Sequence, residues 1–313
     1  MKGEWPEAEL LQPAVKKTRE PTMSCSSITE LAEGSIYALH NTFPLDGRVS
    51  AYPTSARGHS ASNCYLLHED DGALPLDTGY AAHERSILGQ LGSILDPRKP
   101  LSIFPLRINE FMSVGNAMAI AKQFNVVECY SPTPDVARWL EFETTSPGGK
   151  SKDAPALPTT LLGPSQTYQV GKSGNRPFDA INPPIRLIST RWIYDEATRT
   201  LFSSDMFTHV WRDDAGGPWL IEDDDKVTTS AFVRSFLLNT RYWWLEGAET
   251  ESLRRGAADV FDRYDIETIA PGYGAILRGR ALVERQFSVL DDVLRSLDRR
   301  AVKPRYVPRG IER

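Results

Sequence analysis

Histidine and cysteine, the residues that most often bind metal ions, are sparse and widely spaced in this sequence. The five histidines are His40, His59, His68, His83 and His209. The three cysteines are Cys25, Cys64 and Cys129. No pair has the spacing of a zinc knuckle, and an odd number of cysteines argues against a disulfide framework. We interpret the first, third and fourth histidines as structural, which leaves His59 and His209 as candidate metal ligands.

Carboxylates and hydroxyls offer other chemistries, and most of their motifs have an ordinary structural explanation. The acidic run EDDD (222–225) is typical of a solvated loop. Ser203 and Ser204 lie in an apolar segment without a GxSxG motif, which excludes the usual arrangement of a serine hydrolase. The stretch PGYG (271–274) predicts a turn and not a phosphate-binding loop, because no GxGxxG pattern is present. Asp77, in the stretch DTG, is expected to fix a turn.

Composition and charge exclude several classes of partner. The chain has 313 residues, 41% of them hydrophobic, and a formal net charge of -5. This charge gives no electrostatic reason to expect nucleic acid or an anionic membrane as a partner. No apolar run approaches the roughly 18 residues that span a bilayer. Since the first residues also lack the apolar centre of a signal peptide, we expect a cytoplasmic protein.

The order of apolar segments predicts one main domain. Short apolar strands alternate with amphipathic helices in the first half, many short strands follow, and two amphipathic helices come near the end. We expect a mobile N-terminal arm over residues 1–30, a domain over residues 31–300 and a tail over residues 301–313. The predicted elements include a helix over Pro134–Phe142, a loop over Ser146–Pro155 and a strand over Ile185–Ser189.

Four stretches in order give the sequence a family resemblance. They are SNCYLL with ALPLDTGY, FPLRINEFMSVGN, YDEATRTLFSSDMF and IETIAPGYGAILRG. Together they resemble the motifs of the metallo-β-lactamase-fold superfamily over roughly residues 34 to 300. The most similar branch in pattern is that of the flavodiiron and oxygen-binding di-iron proteins. The resemblance implies an α+β fold of αββα type, in which a two-sheet β-sandwich is flanked by helices.

The same resemblance implies that most metal ligands of that branch are missing. The positions of the missing ligands hold Ile108, Met112, Ser113, Arg186 and Tyr273. Only two carboxylates, Glu110 and Asp205, are kept. Imidazole suits zinc and iron at neutral pH, and neither isoleucine nor methionine replaces it at a hard metal ion. A tyrosine could coordinate only as a phenolate. We therefore expect the two-metal chemistry to be lost.

Two arrangements of side chains could replace the missing metal site. In the first, an arginine–carboxylate network neutralises Glu110 and Asp205, because two close carboxylates without a cation repel each other. The candidate arginines are Arg107, Arg186 and Arg191. In the second, Glu110, Asp205 and His209 hold a single iron, manganese or zinc ion. His59 and Tyr273 are further possible ligands of that ion.

The sequence therefore predicts a protein of this fold with a degenerate metal site that acts in binding or as a partner protein. Its cofactor would be none or a single metal ion. The alternative is an enzyme, either a hydrolase or an oxygen or redox enzyme with the mononuclear site. A metal-free acid–base catalyst using Glu110, Asp205 and Tyr273 is a further form of that alternative. A small-molecule ligand and a homo-oligomer are compatible with the sequence, and no nucleic acid or membrane partner is expected.

Overall fold

The computed structural model describes residues 25–108, 110–132, 158–164 and 166–304. In these residues two seven-stranded sheets pack face to face, and helices cover the outer side of each sheet. The predicted α+β fold, with its αββα order of layers, is confirmed. No helix in the described part of the chain is both long enough and apolar enough to cross a membrane.

The two sheets take their strands from successive halves of the chain. The first sheet contains β1 (Ser26–Ala32), β2 (Ile36–Pro44), β3 (His59–Glu69), β4 (Gly72–Leu76), β5 (Leu101–Ile103), β6 (Val126–Ser131) and β7 (Thr159–Leu161). The second sheet contains β8 (Gln166–Gln169), β9 (Pro177–Ile181), β10 (Trp192–Asp195), β11 (Thr200–Ser204), β12 (Leu220–Ile221), β13 (Thr268–Pro271) and β14 (Ile276–Arg278).

The described α-helices fall into two groups, one on each sheet. The first group is α1 (Glu84–Ile94), α2 (Phe111–Val114) and α3 (Ala117–Gln123). The second group is α4 (Ser230–Leu238), α5 (Glu251–Arg263) and α6 (Arg280–Leu297). Two short 3-10 helices, Ala81–His83 and Trp243–Leu245, precede α1 and follow α4.

Alternation along the strands builds the core on both sides of each sheet. In β3, Cys64 and Leu66 face the helices of the first sheet, whereas Tyr65 and Leu67 face the second sheet. In β11, neighbouring residues likewise divide between the inter-sheet core and the core under α4 to α6. Successive side chains of a strand point to opposite faces, so a strand buried on both faces carries apolar residues at consecutive positions.

Parallel pairing at the centre of each sheet positions the candidate site. The strand orders are β1-β2-β3-β4-β5-β6-β7 and β12-β14-β13-β11-β10-β9-β8. Strand β4 runs parallel to β5, and β11 runs parallel to β13. Because the carboxyl ends of parallel neighbours lie at the same edge of a sheet, residues that follow these four strands come close together.

Some sequence predictions of elements and boundaries are wrong. Residues Ile185–Ser189 form bends and not a strand, and the strand of this region is β9. The prolines at 183 and 184 precede the apolar run, and a proline cannot donate to a strand ladder. Residues 26–30, assigned to the arm, pair with β2 as part of β1. The predicted helix Pro134–Phe142, the loop Ser146–Pro155 and most of the arm and tail lie outside the described residues.

Candidate functional site

Four strand ends place the side chains of the candidate site. Asp77 follows β4, and Arg107 lies four residues after β5 in the first sheet. Asp205 follows β11, and Tyr273 lies two residues after β13 in the second sheet. Asp77 has a positive φ of 62°, a tight turn that redirects the chain at the strand end. The site therefore lies where the parallel strands of both sheets end.

The Arg107 guanidinium is the centre of this site. It is 0% exposed and forms ion pairs with three carboxylates. Its Nη1 lies 2.7 Å from Glu110 Oε2 and also contacts Asp205 Oδ1, while Nη2 lies 3.3 Å from Asp77 Oδ2. Nη2 also donates to Met112 Sδ at 2.8 Å. The predicted arginine–carboxylate network is confirmed for Arg107.

A second arginine, Arg241, closes the cluster from the solvent side. Its Nη2 lies 2.6 Å from Glu110 Oε1, and its Nη1 lies 3.6 Å from Asp205 Oδ2. Its Nε donates to Ser50 Oγ at 3.2 Å. The side chains of Arg241, Glu110 and Asp205 are 18%, 14% and 10% exposed, so the outer part of the cluster reaches solvent.

Tyr273 contributes a ring and a hydroxyl to the cluster. The Arg107 Cζ lies 5.1 Å from the centre of its ring, a cation–π contact. Its hydroxyl donates to Glu110 Oε1 at 3.5 Å and lies 2.7 Å from the hydroxyl of Tyr80. Burial raises the pKa of Tyr273 well above its ordinary value. The side chain is therefore a neutral hydrogen-bonding phenol, which is a poor metal ligand.

The positions at which the family resemblance predicts missing ligands carry packing and hydrogen bonds. Ile108 is fully buried in the core against the helices of the first sheet. Ser113 Oγ accepts a hydrogen bond from the backbone N–H of Arg107 at 3.2 Å. Met112 turns its sulfur to the Arg107 guanidinium. Ser113 and Met112 therefore contact Arg107, the first at its backbone and the second at its guanidinium.

Asp77 and Gly272 fix the position of Arg107. Asp77 Oδ1 accepts a hydrogen bond from the backbone N–H of Leu106 at 2.7 Å, so this side chain links the turn after β4 to the segment after β5. Its other oxygen contacts the guanidinium. A Cβ at Gly272 would lie 3.1 Å from Arg107 Nη2 and 3.1 Å from Ser204 O. A side chain larger than glycine would therefore crowd the guanidinium and the carbonyl of Ser204, and one of them would have to shift slightly.

Burial and charge shift the carboxyl pKa values in different directions. Burial raises the pKa of Asp77 and of Asp205, and Arg107 opposes both shifts. Burial also acts on Glu110, but Arg107 and Arg241 outweigh it and the pKa is lowered. Burial disfavours charge on Arg107, yet attraction by Asp205 and Glu110 outweighs burial and its pKa is raised well above the ordinary value. Three carboxylates face two guanidinium groups, so the fully ionised cluster has one excess negative charge.

The mononuclear metal set predicted from Glu110, Asp205 and His209 is not assembled in the described residues. His209 Nε2 lies 2.8 Å from Thr228 Oγ1, and the hydroxyl of Thr228 donates to Asp225. Within the described ranges, no three His, Cys, Asp or Glu side chains form a group that could hold a metal ion. The imidazole is engaged in a separate buried network, so it does not join the two carboxylates.

Three other residues that the sequence suggested for this site, two arginines and a histidine, contact neither Glu110 nor Asp205. Arg186 is exposed and donates to Asn182 Oδ1 at 3.1 Å. Arg191 donates to the backbone carbonyls of Thr190 and Gly163. Both predictions of a counter-charge for Glu110 and Asp205 are therefore wrong. His59 Nδ1 contacts the carbonyl of Asp213 at 3.0 Å, at the start of β3.

Sequence reasoning missed Arg241 and the role of the acidic loop. Arg241 opens the aromatic stretch RYWWLEG, and no spacing or motif links it to Glu110. Its only sequence signal is a charge next to large apolar residues. In the loop 222–225, Asp225 is buried and accepts hydrogen bonds from Thr228 and Gln286, so the expected solvated loop is correct only for its first residues.

Comparison with solved structures identifies the fold. The rubredoxin oxygen:oxidoreductase of Desulfovibrio gigas matches with a TM-score of 0.61 and 15% identity over 86% of this chain and 62% of that chain. A flavo di-iron protein of Thermotoga maritima matches with a TM-score of 0.57 and 18% identity over 87% of this chain and 62% of that chain. This chain has the flavodiiron type of metallo-β-lactamase fold. It spans less than two thirds of the length of those two proteins.

A shorter solved structure of the same fold is matched over nearly its whole length. It is a fragment of diflavin flavoprotein A 5 from Nostoc, with a TM-score of 0.62 and 12% identity over 88% of this chain and 98% of that chain. No protein-family model matches the sequence, and a search of curated proteins finds no relative. At these identities the likeness shows the flavodiiron-type fold and does not by itself transfer an activity.

The residues of the site do not fit the di-iron centre that the flavodiiron-type fold implies. A two-metal site needs several imidazole and carboxylate ligands around each ion. Here the positions that the family resemblance assigns to ligands hold the buried Ile108, the sulfur of Met112 and the protonated phenol of Tyr273. A cationic guanidinium already lies among the carboxylates and would repel a divalent ion. The donor set suits an internal ion-pair cluster.

Proposed function

We propose that this protein is a metal-independent binding or partner protein on the flavodiiron-type fold. In this proposal an internal arginine–carboxylate cluster stands where flavodiiron relatives place metal ions. The observation that carries the proposal is the fully buried Arg107 guanidinium, which contacts Asp77, Glu110 and Asp205 together. These carboxylates are neutralised by side chains of the protein itself.

The energetics of buried ion pairs support this assignment. Removing one partner of a buried pair costs about 3–5 kcal/mol, because an uncompensated charge stays in the interior. A metal ion entering the cluster would have to displace the Arg107 guanidinium, which is 0% exposed and pairs with three carboxylates. The contact between the guanidinium and the sulfur of Met112 would also be lost. Exchange of arginine for metal would therefore need rearrangement of the loop.

The outer edge of the cluster supports a role in binding. Glu110 and Arg241 are partly exposed and carry opposite charges, so a small charged ligand could contact both. Two exposed aromatic residues are close in sequence to this pair. Phe111 comes directly after Glu110 and is 53% exposed, and Trp243 comes two residues after Arg241 and is 37% exposed. Aromatic side chains beside a charged pair are common in small-molecule sites.

The metal content of the purified protein tests the proposal. The chain should be purified without a metal-affinity column and analysed by inductively coupled plasma mass spectrometry, with a flavodiiron core prepared in parallel as a positive control. We expect well below one equivalent of iron, zinc or manganese. About one or two equivalents of one metal, lost in the variant D205N, would contradict the proposal.

A stability measurement gives an independent second readout. We expect Fe(II), Mn(II) and Zn(II), added one at a time under anaerobic conditions, to leave the melting temperature unchanged, because no binding equilibrium favours the folded state. The flavodiiron core should be stabilised under the same conditions. A saturable increase in the melting temperature of this chain that D205N abolishes would identify a metal site.

The acid–base roles of Glu110, Asp205 and Tyr273 stay a prediction. The opposite pKa shifts of the two carboxyls favour it, since an acid and a base at one site need different pKa values. A panel of esters, lactones and phosphoesters assayed with the wild type and with E110Q, D205N and Y273F checks this role. Turnover that all three variants retain would exclude it.

A further inference from the structure

A groove of about 670 Å³ opens on the outer side of the second sheet, beside the end of α5. Asp179 of β9 and Tyr194 of β10 lie in its floor, and these two residues are direct partners in the strand ladder. Arg263, the last residue of α5, and Tyr264, which follows it, lie in its wall. Small-molecule sites have cavities of roughly 300–1,000 Å³, so the groove has the size of such a site.

The groove lies far along the strands from the arginine–carboxylate cluster. Two of its lining residues, Arg199 and Asp265, precede β11 and β13. Asp205 and Tyr273 of the cluster follow the same two strands, which run parallel. The groove and the cluster are therefore at opposite ends of the second sheet, and a ligand in the groove occupies a separate site.

Asp179 is held in a fixed orientation on the floor of the groove by two hydroxyl groups. Its Oδ1 accepts a hydrogen bond from Thr167 Oγ1 at 2.6 Å, and its Oδ2 accepts one from the hydroxyl of Tyr264 at 3.1 Å. Burial and the charge of Asp179 raise the pKa of Tyr264 to about 12, so this phenol stays a donor at neutral pH. A carboxylate accepts at about four positions, so a half-buried Asp179 keeps acceptor positions for a ligand.

The charges around the groove favour a cation. The described lining carries three carboxylates and two guanidinium groups, which belong to Asp179, Glu196, Asp265, Arg199 and Arg263. Arg199 pairs with Asp265 at 3.3 Å, and Arg263 lies with its Cζ 5.2 Å from the centre of the Tyr264 ring. The carboxylates exceed the guanidinium groups by one. The C-terminal end of α5 adds partial negative charge from its last carbonyl groups.

Two tyrosine rings give the groove an aromatic surface in this negative field. The ring centres of Tyr194 and Tyr264 lie 4.6 Å apart. Burial raises the pKa of Tyr194, and the charges of Asp265 and Glu196 raise it further against the opposing effect of Arg199. The field at this ring is thus dominated by carboxylates. Aromatic rings beside carboxylates attract organic cations through both cation–π contact and ion pairing.

We propose that this groove binds a small organic cation that carries a protonated amine. The ammonium group pairs with Asp179 and Glu196, and the alkyl part of the ligand lies along the rings of Tyr194 and Tyr264. A metal ion does not fit this donor set, because no three His, Cys, Asp or Glu side chains of the described ranges form a group that could hold one.

Binding of putrescine to the full chain tests this site. Isothermal titration calorimetry should compare putrescine with its neutral analogue, in which hydroxyl groups replace both amines, at constant ionic strength set with sodium chloride. We expect saturable binding of putrescine and no measurable binding of the neutral diol, because the carboxylates recognise the charge and not the length of the chain.

Variants separate this site from general attraction of cations. D179N should lower the affinity for putrescine at least ~10-fold, as for loss of a charge-assisted hydrogen bond. E196Q changes an exposed residue and should also weaken binding, so it decides the question if D179N does not fold. E249Q is the matched control, because it removes the same charge from Glu249, which is 57% exposed and pairs with Arg299. We expect it to bind like the wild type.

Three results would overturn the proposal. The first is the absence of saturable putrescine binding to the wild type, and the second is equal binding of the neutral diol. The third is a set of variants in which E196Q and D179N bind putrescine no more weakly than E249Q, since the binding would then reflect only the overall charge of the chain.

Discussion

Arg107 and Asp205 come from different sheets, 98 positions apart in the chain, and form an ion pair at the edge where both sheets end. The pair joins the loop after β5 to the turn after β11 across the sandwich. Glu110 contacts the same guanidinium nitrogen as Asp205. One buried cation therefore pairs with carboxylates from both the loop after β5 and the turn after β11. The link between these loops is electrostatic and lies inside the protein.

Removal of the Arg107 charge is expected to destabilise the fold strongly. R107M should lower the free energy of unfolding by about 3–5 kcal/mol, because three carboxylates would lose their buried counter-charge. R107K should lose less, since a lysine keeps the charge but cannot pair in the planar fork geometry. Urea unfolding followed by circular dichroism measures both.

R295Q is the control for the Arg107 variants, because its arginine pairs with Asp291 on an exposed helix surface. We expect its unfolding midpoint to match that of the wild type within error. If R107M matched the wild type as well, the cluster would not contribute to stability in the way that its burial implies.

E110Q and D205N are expected to respond to pH in opposite directions. The folded pKa of Glu110 is lowered, so its ionised form contributes stability above about pH 4.3 that is lost as the pH falls through the folded pKa. E110Q should therefore cost more stability at pH 7 than at pH 4. Urea unfolding at a series of pH values measures this cost.

For Asp205 the folded pKa is raised, mainly by burial. The protonated form of Asp205 therefore stabilises the fold. This contribution is fully present below about pH 3.9 and is lost as the pH rises through the folded pKa. D205N should therefore cost less stability at pH 7 than at pH 4. Parallel pH profiles for the two variants would show that the two carboxyls do not have opposite shifts.

G272A is expected to disturb the site through the backbone. The added methyl group would lie 3.1 Å from Arg107 Nη2 and from the carbonyl of Ser204, so one of them must move. Overpacking of this kind costs about 1–3 kcal/mol. Thermal and urea unfolding measure the loss. The matched control is G89A, where nothing lies within 4 Å on an exposed face of α1, and where we expect a gain of about 0.5–1 kcal/mol.

Acid sensitivity is expected from two buried histidines. Burial lowers the pKa of both His40 and His209 to about 4. Each is neutral when folded and binds a proton near pH 6.5 when unfolded, so stability falls as the pH drops from about 6.5 to about 4. Each histidine adds a slope of up to about 1.4 kcal/mol per pH unit. H209Q should remove one such contribution, as measured by urea unfolding across that range, and an unchanged slope would contradict the assignment.

The sequence could predict the fold and part of the site, and the reasons differ by residue. The stretch DTG and the carboxylate Asp205 lie at the ends of apolar strands, where local pattern and motif order place them correctly. Arg107 was a candidate because it follows a predicted strand that leads to Glu110, and the structure brings its guanidinium to that carboxylate. Arg241 was not predictable, since it meets Glu110 only through the packing of a turn after α4.

The same limit applies to the pairing of Arg186 and Arg191. Both lie near a strand that leads to the site. A shift of one residue along a strand moves a side chain to the opposite face, so nearness in sequence does not decide which side chain points to the site. The bends at Ile185–Ser189, in place of a strand, turn Arg186 to solvent and leave Arg191 on the carbonyls of Thr190 and Gly163. Local sequence carries no signal for these bends beyond the two prolines before them.

The buried position of Arg107 has a consequence for how the protein matures. A metal centre must be loaded after synthesis and can be stripped by a chelator, but a guanidinium is part of the polypeptide. The cross-sheet ion pair is therefore complete as soon as the chain has folded, with no insertion step and no dependence on the supply of iron in the cell. Nor can this cation change its oxidation state, so the link it makes is indifferent to oxygen.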